Sequence, residues 1–522
     1  MSGQGLKSGR GRPCRAGYPD GEYWTGSPAR RSGREARGPW GLTPPAKPGW
    51  TVAYGVVSLV LAVVPLLGVA AGLALVLVTA PRGAGVGGML LHALVWLAPA
   101  TVLGFVVVAV SVLGLVRFLG LFVRVGAHPV QSGAGLAAWA TIRLLDEART
   151  WLYPIYAGWF TTVWLRLLGA EIGKDAEAST VLLIPSLVTV GEGSFLADDT
   201  LLGGYELGGG WIRVDHTQVG KQAFLGNSGM AAPGRKVPKG GLVAVLSAAP
   251  ARTRAKKATS WIGSPPAKLR RTEQVGDAAL TYDPPTRLRV QRGIVELFRI
   301  VAVMVSMLIG VLVAAALLWL ASVSWWLAAA LGGVVLVAAG YVAAWCSTIP
   351  KKLLVGTVKP GEHPLWSSFV WRNELADQFV EVVTAPWFIR WAVGTPLLIV
   401  WLRTMGAKIG VGVWCESYWL PEPDLVTLRD GATVERGCVV QTHLFHDRVL
   451  SLDEVVIGRG ATLCPNSVVL PGATLGRHST IGPASLVMRG ESVPSRTRWI
   501  GNPIGPWLET DDGLTTPRGV ED

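Results

Sequence analysis

The residues best suited to chemistry lie in one short stretch, 441–448, which reads Gln-Thr-His-Leu-Phe-His-Asp-Arg. A histidine whose pKa is near neutral is the usual proton acceptor when an amine or a hydroxyl attacks an acyl group, and a nearby carboxylate can orient its ring. His443 or His446, together with Asp447, supplies these groups. The stretch is therefore a candidate catalytic site. The alternative is that its polar side chains cap strand ends in a loop.

An earlier stretch of the chain contains a second candidate site. The chain contains an internal repeat, described below, and the earlier copy of this stretch has Glu206, Asp215 and His216 as its candidate groups. In that copy Tyr205 occupies the position that corresponds to His443. We therefore expect this second site to be altered or inactive.

A basic run follows the earlier stretch and contains no acidic residue. It is either a solvated face near anionic lipid or a phosphate-binding site for a carrier arm or a nucleotide. Its members are Arg252, Arg254, Lys256, Lys257, Lys268, Arg270 and Arg271. His478, farther along, is interpreted as a solvated turn residue. The sequence has no P-loop, nucleophile elbow or metal-ligand motif, so we expect no metal and no tightly bound cofactor.

A six-residue period predicts the element that positions the candidate site. Every sixth residue from 457 to 493 is aliphatic, with glycine and proline between: Ile457, Leu463, Val469, Leu475, Ile481, Val487 and Val493. This period fits neither an amphipathic helix nor a half-buried strand. It is typical of a parallel β-helix, in which each hexad is a short strand plus a turn and the aliphatic residue points into a shared core.

The chain uses one unit twice. Trp164-Leu165-Arg166 matches Trp401-Leu402-Arg403, and Trp261-Ile262-Gly263 matches Trp499-Ile500-Gly501. In both copies the six-residue period stops, at Leu202 or Val440, and resumes at Val219 or Ile457. A loop must leave the coil there, and side chains on such a loop face a rigid wall.

Composition and charge predict a membrane protein. Mean hydropathy is +0.40, only 16% of residues are charged and the net charge is +13. The excess charge lies beside apolar runs, which favours an anionic cytoplasmic leaflet over nucleic acid as the partner. The five cysteines include no CxxC pair, which argues against a disulfide framework and is compatible with a reducing compartment.

Four uncharged runs are long enough to span a bilayer, at 51–80, 89–116, 300–320 and 325–345. Arginine and lysine crowd the outer ends of both pairs, so both hairpins should leave the rest of the chain in the cytoplasm of a plasma membrane. Amphipathic, Trp-rich stretches follow each pair at 137–169 and 369–406, and they should lie in the membrane interface; part of the second, 384–402, could instead insert as a re-entrant segment.

The predicted fold is membrane α-helical hairpins alternating with two parallel β-helix hexapeptide-repeat domains. The predicted order is a disordered basic tail (1–50), transmembrane hairpin 1 (51–125), interfacial helices (126–170), β-helix domain 1 (171–283), transmembrane hairpin 2 (284–350), interfacial helices (351–406), β-helix domain 2 (407–507) and a tail (508–522).

Residues 51–507 resemble the hexapeptide-repeat acyltransferases, and more closely the C-terminal membrane region of nonribosomal peptide synthetases of the ε-poly-L-lysine synthetase type. The matching stretches are Val219–Ser228, Ser260–Pro266, Thr442–Phe445 with Asp447–Val449, Ser485–Met488 with Gly490-Glu491, and Thr497–Trp499 with Gly501 and Pro503. The resemblance implies that the β-helices are left-handed. It also implies amide-bond formation between amino acids, with a phosphopantetheine-linked aminoacyl thioester as donor and a free amine as acceptor.

Carried over to this chain, the resemblance makes His443 the base and Asp447 its orienter, with His446 where the family usually has an acidic residue. Residues 1–50 resemble neither an adenylation domain nor a carrier domain, so we expect both domains to act in trans; the alternatives are that the chain is a remnant of a longer synthetase or has another function. Two other hypotheses stay open: a non-catalytic membrane scaffold or export partner of a peptide synthetase, and an acetyltransferase that uses acyl-CoA. The sequence leaves the oligomeric state open.

Overall fold

The computed structural model describes residues 24–25, 30–31, 38–45, 48–83, 85–270 and 277–507. Part of the predicted N-terminal tail lies within these ranges. Trp24–Thr25 pairs with Arg30–Arg31, and the ring of Trp40 lies against Gly208. The indole Nε1 of Trp211 donates a hydrogen bond of 2.7 Å to the carbonyl oxygen of Leu42. The segment 38–45 therefore packs on the first repeat unit. The predicted C-terminal tail lies outside the described residues, except for its boundary at 507.

Helices form the first half of each unit. The first unit contains α1 (Gly49–Val78), α2 (Val86–Val95), α3 (Leu97–Gly120), α4 (Gly133–Trp151) and α5 (Phe160–Leu168). The second contains α6 (Thr286–Leu297), α7 (Ile300–Val323), α8 (Trp325–Leu354), α9 (Ser368–Phe379), a π-helix (Val380–Ile389), α10 (Arg390–Ala392) and α11 (Pro396–Met405). Four helical stretches in the described ranges are long and apolar enough to cross a membrane: Gly49–Val78, Leu97–Gly120, Thr286–Val323 and Trp325–Leu354.

The second predicted span differs from the structure. The sequence predicts one continuous run over 89–116, whereas the helix is interrupted at Trp96, between α2 and α3. Pro99 explains the break, because a proline has no N–H to donate and its ring clashes with the carbonyl of the residue four positions earlier, here Val95.

Each β unit is built from three parallel sheets visited in turn. In the first unit, the first sheet contains Glu171–Ile172, Val188–Val190, Thr217–Val219 and Lys236–Val237. The second sheet contains Glu177–Ala178, Phe195–Leu196, Phe224–Leu225, Leu242–Val243, Ser260–Ile262 and the antiparallel Ala267–Leu269. The third sheet contains Leu182–Leu183, Leu201–Leu202 and Met230–Ala231. In the second unit, the first sheet contains Lys408–Ile409, Val426–Leu428, Val455–Ile457, Thr474–Leu475 and Ser492–Val493. The second sheet contains Trp414–Cys415, Thr433–Val434, Thr462–Leu463, Thr480–Ile481, Arg498–Ile500 and the antiparallel Gly505–Pro506. The third sheet contains Val439–Val440, Val468–Val469 and Leu486–Val487.

The strand register explains the six-residue period. Ile457 lies beside Leu475, which lies beside Val493, so one coil takes three hexads and each hexad supplies one side. All seven aliphatic residues of the period are buried, with exposed fractions of 4% or less. The predicted parallel coil with an inward aliphatic column is therefore present. Left-handedness stays a prediction.

The predicted excursion from the coil is a β-hairpin in both units. His443–His446 pairs with Val449–Leu452, which also pairs with Gly361–Pro364 from the segment before α9. In the first unit Glu206–Gly208, Trp211–Val214 and Gly126–Pro129 form the same arrangement. A strand that precedes α4 or α9 thus completes each hairpin, and it holds that helix next to the residues of the loop.

The two units pack against each other. The turn of the second hairpin is Asp447-Arg448, with positive φ at both residues, as in the two-residue turns that suit hairpin twist. Arg448 is 1% exposed, and its guanidinium donates to the carbonyl oxygens of Thr281 and Asp175. It also lies 4.6 Å from the ring centroid of Tyr282. These contacts fix the second hairpin against the first unit.

Candidate active site

A cavity of about 670 Å³ lies where the two units meet. Its walls come from the first β-helix, the second β-helix, α4 and α9 with the π-helix that follows α9. His443 lines it, whereas His446, Asp447 and the second candidate site (Glu206, Asp215 and His216) do not. One candidate residue is therefore brought to a shared cavity, and the structure separates it from the others.

His443 is held by a carboxylate that the sequence reasoning did not identify. Its Nδ1 lies 2.8 Å from Oε1 and 2.9 Å from Oε2 of Glu422. The Glu422 side chain is fully buried, and that of His443 is 16% exposed. Among the described residues, Nε2 of His443 has no hydrogen-bond partner. The ring is therefore oriented through Nδ1, and Nε2 is available to a substrate.

Glu422 is itself held on several sides. The amide Nδ2 of Asn373 donates to its Oε1 at 2.9 Å, and the hydroxyl of Thr442 donates to its Oε2 at 2.6 Å. Burial opposes ionisation of Glu422, but His443 beside it and these hydrogen bonds lower the pKa of Glu422 below its ordinary value. Groups from α9, the coil and the hairpin thus hold the Glu422–His443 pair in a fixed geometry.

The pair shifts the pKa of the histidine in the opposite direction. Burial alone would lower the pKa of His443, but the charge and hydrogen bond of Glu422 outweigh that effect and raise the pKa to about 9. Asp198 and Asp377 add smaller contributions of the same sign. At neutral pH the protonated form of His443 is therefore favoured.

Asp447 and His446 lie at the far end of the hairpin. Nε2 of His446 lies 3.6 Å from Oδ2 of Asp447. His446 is three residue steps along the strand from His443, which corresponds to roughly 10 Å. The structure thus places Glu422, rather than Asp447, against the Nδ1 atom of His443; a catalytic role for His443 stays a prediction.

The second candidate site is held by an arginine. The guanidinium of Arg213 lies 3.0 Å from Glu206 and 2.7 Å from Asp215. His216 is exposed, and its backbone N–H donates to Asp215. The structure therefore brings Glu206 and Asp215 together on a cation.

The first unit has lost both members of the histidine–glutamate pair. The matching 3₁₀ turns Pro185–Leu187 and Pro423–Leu425 place Ile184 at the position of Glu422, as Tyr205 is at that of His443. Apolar residues fill this position in the first unit: Ala138, Ile184, Leu187, Ile212 and Val214, with Ile142 and Tyr205 packed on them. When the two copies are aligned, the acidic Glu422 stands opposite the apolar Ile184. This difference between the copies is the sequence signal that could have identified Glu422.

The cavity is acidic. Nine Asp or Glu side chains line it, against three Lys or Arg side chains and His443. Several of the nine are paired: Asp146 and Asp199 with Arg149, Glu177 with Arg292, Glu374 with Arg299, Glu147 with Arg143 and Glu422 with His443. The three others are Asp198, Asp377 and Glu381, and among the described residues none of them has a Lys or Arg partner.

The basic run lies outside this cavity. Its described members are exposed: Arg252, Arg254, Lys256, Lys257, Lys268 and Arg270. Arg254 lies 5.3 Å from the ring centroid of Trp261, and Arg271 lies outside the described residues. Whether the run binds phosphate or lipid stays a prediction.

Comparison with known proteins gives one relative in sequence. The chain is 31% identical over 417 residues to delta-poly-L-ornithine synthetase of Acinetobacter baumannii (strain AB307-0294). This chain is similar to a poly-amino-acid synthetase. The match covers 78% of this chain but only 31% of the synthetase, so the chain spans about a third of the length of that relative. No protein-family model matches the chain.

Two solved structures show weak similarity. Soybean serine acetyltransferase is 16% identical, with coverage of 32% of this chain and 57% of the other and a TM-score of 0.18. AntD, an N-acyltransferase from Bacillus cereus, is 7% identical, with coverage of 66% and 84% and a TM-score of 0.14. At such TM-scores neither structure bears on the fold or the chemistry.

Proposed function

We propose that the chain is a membrane-bound acyltransferase that forms amide bonds between amino acids, with His443 and Glu422 acting as a base and its orienter. The observation that carries this proposal is the placement of His443: Nδ1 is held by a fully buried carboxylate, and Nε2 is left to a cavity of about 670 Å³. The similarity to a synthetase that is named for poly-L-ornithine supports amino acids as the substrates.

The proposed step needs one proton acceptor beside an amine. The amine nitrogen attacks the carbonyl carbon of an aminoacyl thioester, so that a C–N bond forms and the C–S bond breaks. Nε2 of His443 takes the proton that the amine loses and passes it to the departing sulfur, which leaves as a thiol. Glu422 fixes the ring and stabilises the imidazolium formed in between. The acidic walls favour a cationic amino acid, such as ornithine or lysine.

The donor and the topology complete the proposal. A phosphopantetheine-linked aminoacyl carrier, supplied in trans with its adenylation domain, would present the thioester; acyl-CoA is the alternative donor. Both β units would lie on the cytoplasmic side of the plasma membrane, because basic residues flank the outer ends of both hairpins.

The test uses the purified full-length chain in detergent micelles, an ornithyl thioester of N-acetylcysteamine as donor and ornithine as acceptor. We expect release of the dipeptide and of one thiol for each bond formed. His443→Ala should lower the rate roughly 10²–10⁴-fold. His478→Ala is the matched control, because His478 is an exposed turn residue of the same β-helix. Full activity of His443→Ala would remove the proposed base, and activity with acetyl-CoA alone would favour ordinary acetyl transfer.

A further inference from the structure

The first β-helix contributes a wall to the cavity although it lacks the histidine–glutamate pair. Asp198 and Asp199 form a turn of this β-helix, one residue after the strand Phe195–Leu196. Phe195 of that strand lies against Phe445 of the second hairpin, with ring centroids 5.0 Å apart. This wall therefore faces the site of the other unit at close range.

Two kinds of carboxylate line this part of the cavity. Asp199 is compensated by Arg149 at 2.7 Å. Asp198 accepts hydrogen bonds from the hydroxyls of Ser179 and Thr180. These hydroxyls are neutral donors, so they leave the charge of Asp198 uncompensated.

α9 and the π-helix supply two further carboxylates across the cavity. Asp377 and Glu381 are four residues apart, which is the spacing of neighbours on one helix face. Glu381 accepts a hydrogen bond of 3.3 Å from the hydroxyl of Tyr418, and the side-chain carboxyl of Asp377 has no hydrogen-bond or ion-pair partner among the described residues. Burial raises the pKa of Asp377 well above its ordinary range and that of Glu381 to about 7.

A buried amide next to them is also unsatisfied. Gln378 is 1% exposed and lines the same cavity, yet its Oε1 has no hydrogen-bond partner in the described part of the chain. A buried acceptor without a donor destabilises the folded chain, so a donor that reaches it is favoured. The cavity thus presents carboxylates without a cationic partner, next to an amide oxygen without a donor. A cation with several N–H donors would satisfy both.

We propose that the degenerate first β-helix, together with α9 and the π-helix of the second unit, forms the binding half of the active site, in which Asp198, Asp377, Glu381 and the Oε1 of Gln378 hold the ammonium group of the substrate that does not react. This proposal rests on the proposed function. The second β-helix supplies the base, whereas Asp198 of the first β-helix, together with Asp377 of α9 and Glu381 of the π-helix, supplies the charge that selects and orients a doubly aminated substrate.

Charge compensation gives the subsite a second effect. Like Glu422, Asp198 and Asp377 raise the pKa of His443, so they favour its protonated form. A bound ammonium group cancels their charge, so it favours the neutral imidazole that the reaction needs. Because burial raises the pKa of Asp377 and of Glu381, a cation that binds beside them should also release protons near neutral pH.

The first experiment measures selectivity during catalysis. Asp198→Asn and Asp377→Asn are compared with the wild type on ornithine and on norvaline and 5-aminopentanoate, each of which retains one of the two amines of ornithine. We expect KM for ornithine to rise roughly 10- to 100-fold in each variant, with changes below about threefold for the monoamines. Glu192→Gln is the control, because Glu192 is an exposed residue of the same β-helix outside the cavity.

The second experiment needs no catalysis. Ornithine binding to the full-length chain is measured by calorimetry in buffers of different ionisation enthalpy, with wild type, His443→Ala, Asp198→Asn and Asp377→Asn. We expect binding with proton release in wild type and His443→Ala, and a loss of affinity of at least tenfold in the two aspartate variants. Asp377→Asn should also melt at a higher temperature than wild type without ornithine, which shows that it folds.

The outcomes separate the two proposals. If ornithine binds through these carboxylates but no amide forms, the subsite stands and the proposed function fails. If amides form but KM for ornithine is unchanged in both aspartate variants, the proposed function stands and the subsite is refuted. Failure of ornithine to bind the wild-type chain also refutes the subsite.

Discussion

Replacement of Glu422 by glutamine tests the central pair most directly. Glutamine preserves the size of the side chain and an acceptor for Nδ1 of His443, but it removes the negative charge. Burial lowers the pKa of His443, but Glu422, with smaller contributions from Asp198 and Asp377, raises it from 6.5 to a net value of about 9. At about 1.4 kcal/mol per unit, this shift is worth about 3 kcal/mol of stability.

The direction of the pH dependence follows from the sign of this shift. The pKa of His443 is higher in the folded state than in the unfolded state, so the stabilisation is complete below pH 6.5 and is lost as the pH rises through about 9. Glu422→Gln should therefore lower the free energy of unfolding by about 3 kcal/mol at pH 6 and by much less at pH 10. Denaturant unfolding of the full-length chain at both pH values measures this, with the exposed Glu454→Gln as control.

The same variant should change the pH–rate profile. Wild-type activity should rise with pH until His443 is neutral, near pH 9. Three charged groups set this limb: Glu422, Asp198 and Asp377. In Glu422→Gln the limb should move toward pH 6.5, while the plateau falls roughly 10²–10⁴-fold because the imidazolium loses its counter-charge. Superimposable profiles, or equal destabilisation at pH 6 and pH 10, would refute the assignment of Glu422 as the partner of a charged His443.

Two further predictions concern the scaffold. Arg448→Ala should destabilise the contact between the units by about 3 kcal/mol, because it leaves two backbone carbonyls of the other unit without donors; limited proteolysis of the linker between the units measures this. Gly68→Leu should separate α1 from α3, because a Cβ there would lie 2.5 Å from Cγ2 of Val108; we expect a loss of about 1–3 kcal/mol in detergent, whereas Gly55→Leu, with open space around its Cβ, should have little effect.

Much of the architecture could be predicted because it is written in local periodicity. A column of aliphatic residues at every sixth position needs a three-sided coil to be buried, and long uncharged runs need apolar surroundings. The interruption of the period between Val440 and Ile457 likewise required an excursion, and the structure has a hairpin there. The break at Trp96 is subtler, since it depends on one proline within an otherwise uniform run.

The site itself depends on contacts that no local pattern encodes. Glu422 and Asn373 reach His443 from the previous coil and from α9. Asp198 reaches the same cavity from the other repeat unit. Asp447 is close to His443 in sequence and was therefore predicted as its partner. The two residues lie at opposite ends of an extended hairpin strand, so they do not meet.

The sequence by itself thus determined the repeat, the coil, the apolar helices and one histidine of interest, because each follows from the spacing or type of nearby residues. Only the tertiary structure decided which carboxylate holds that histidine, and that one cavity is shared by an intact and a degenerate repeat unit. The physical reason is that a charge pair forms between whichever side chains burial brings within about 3 Å, and that distance depends on the packing of elements far apart in the chain.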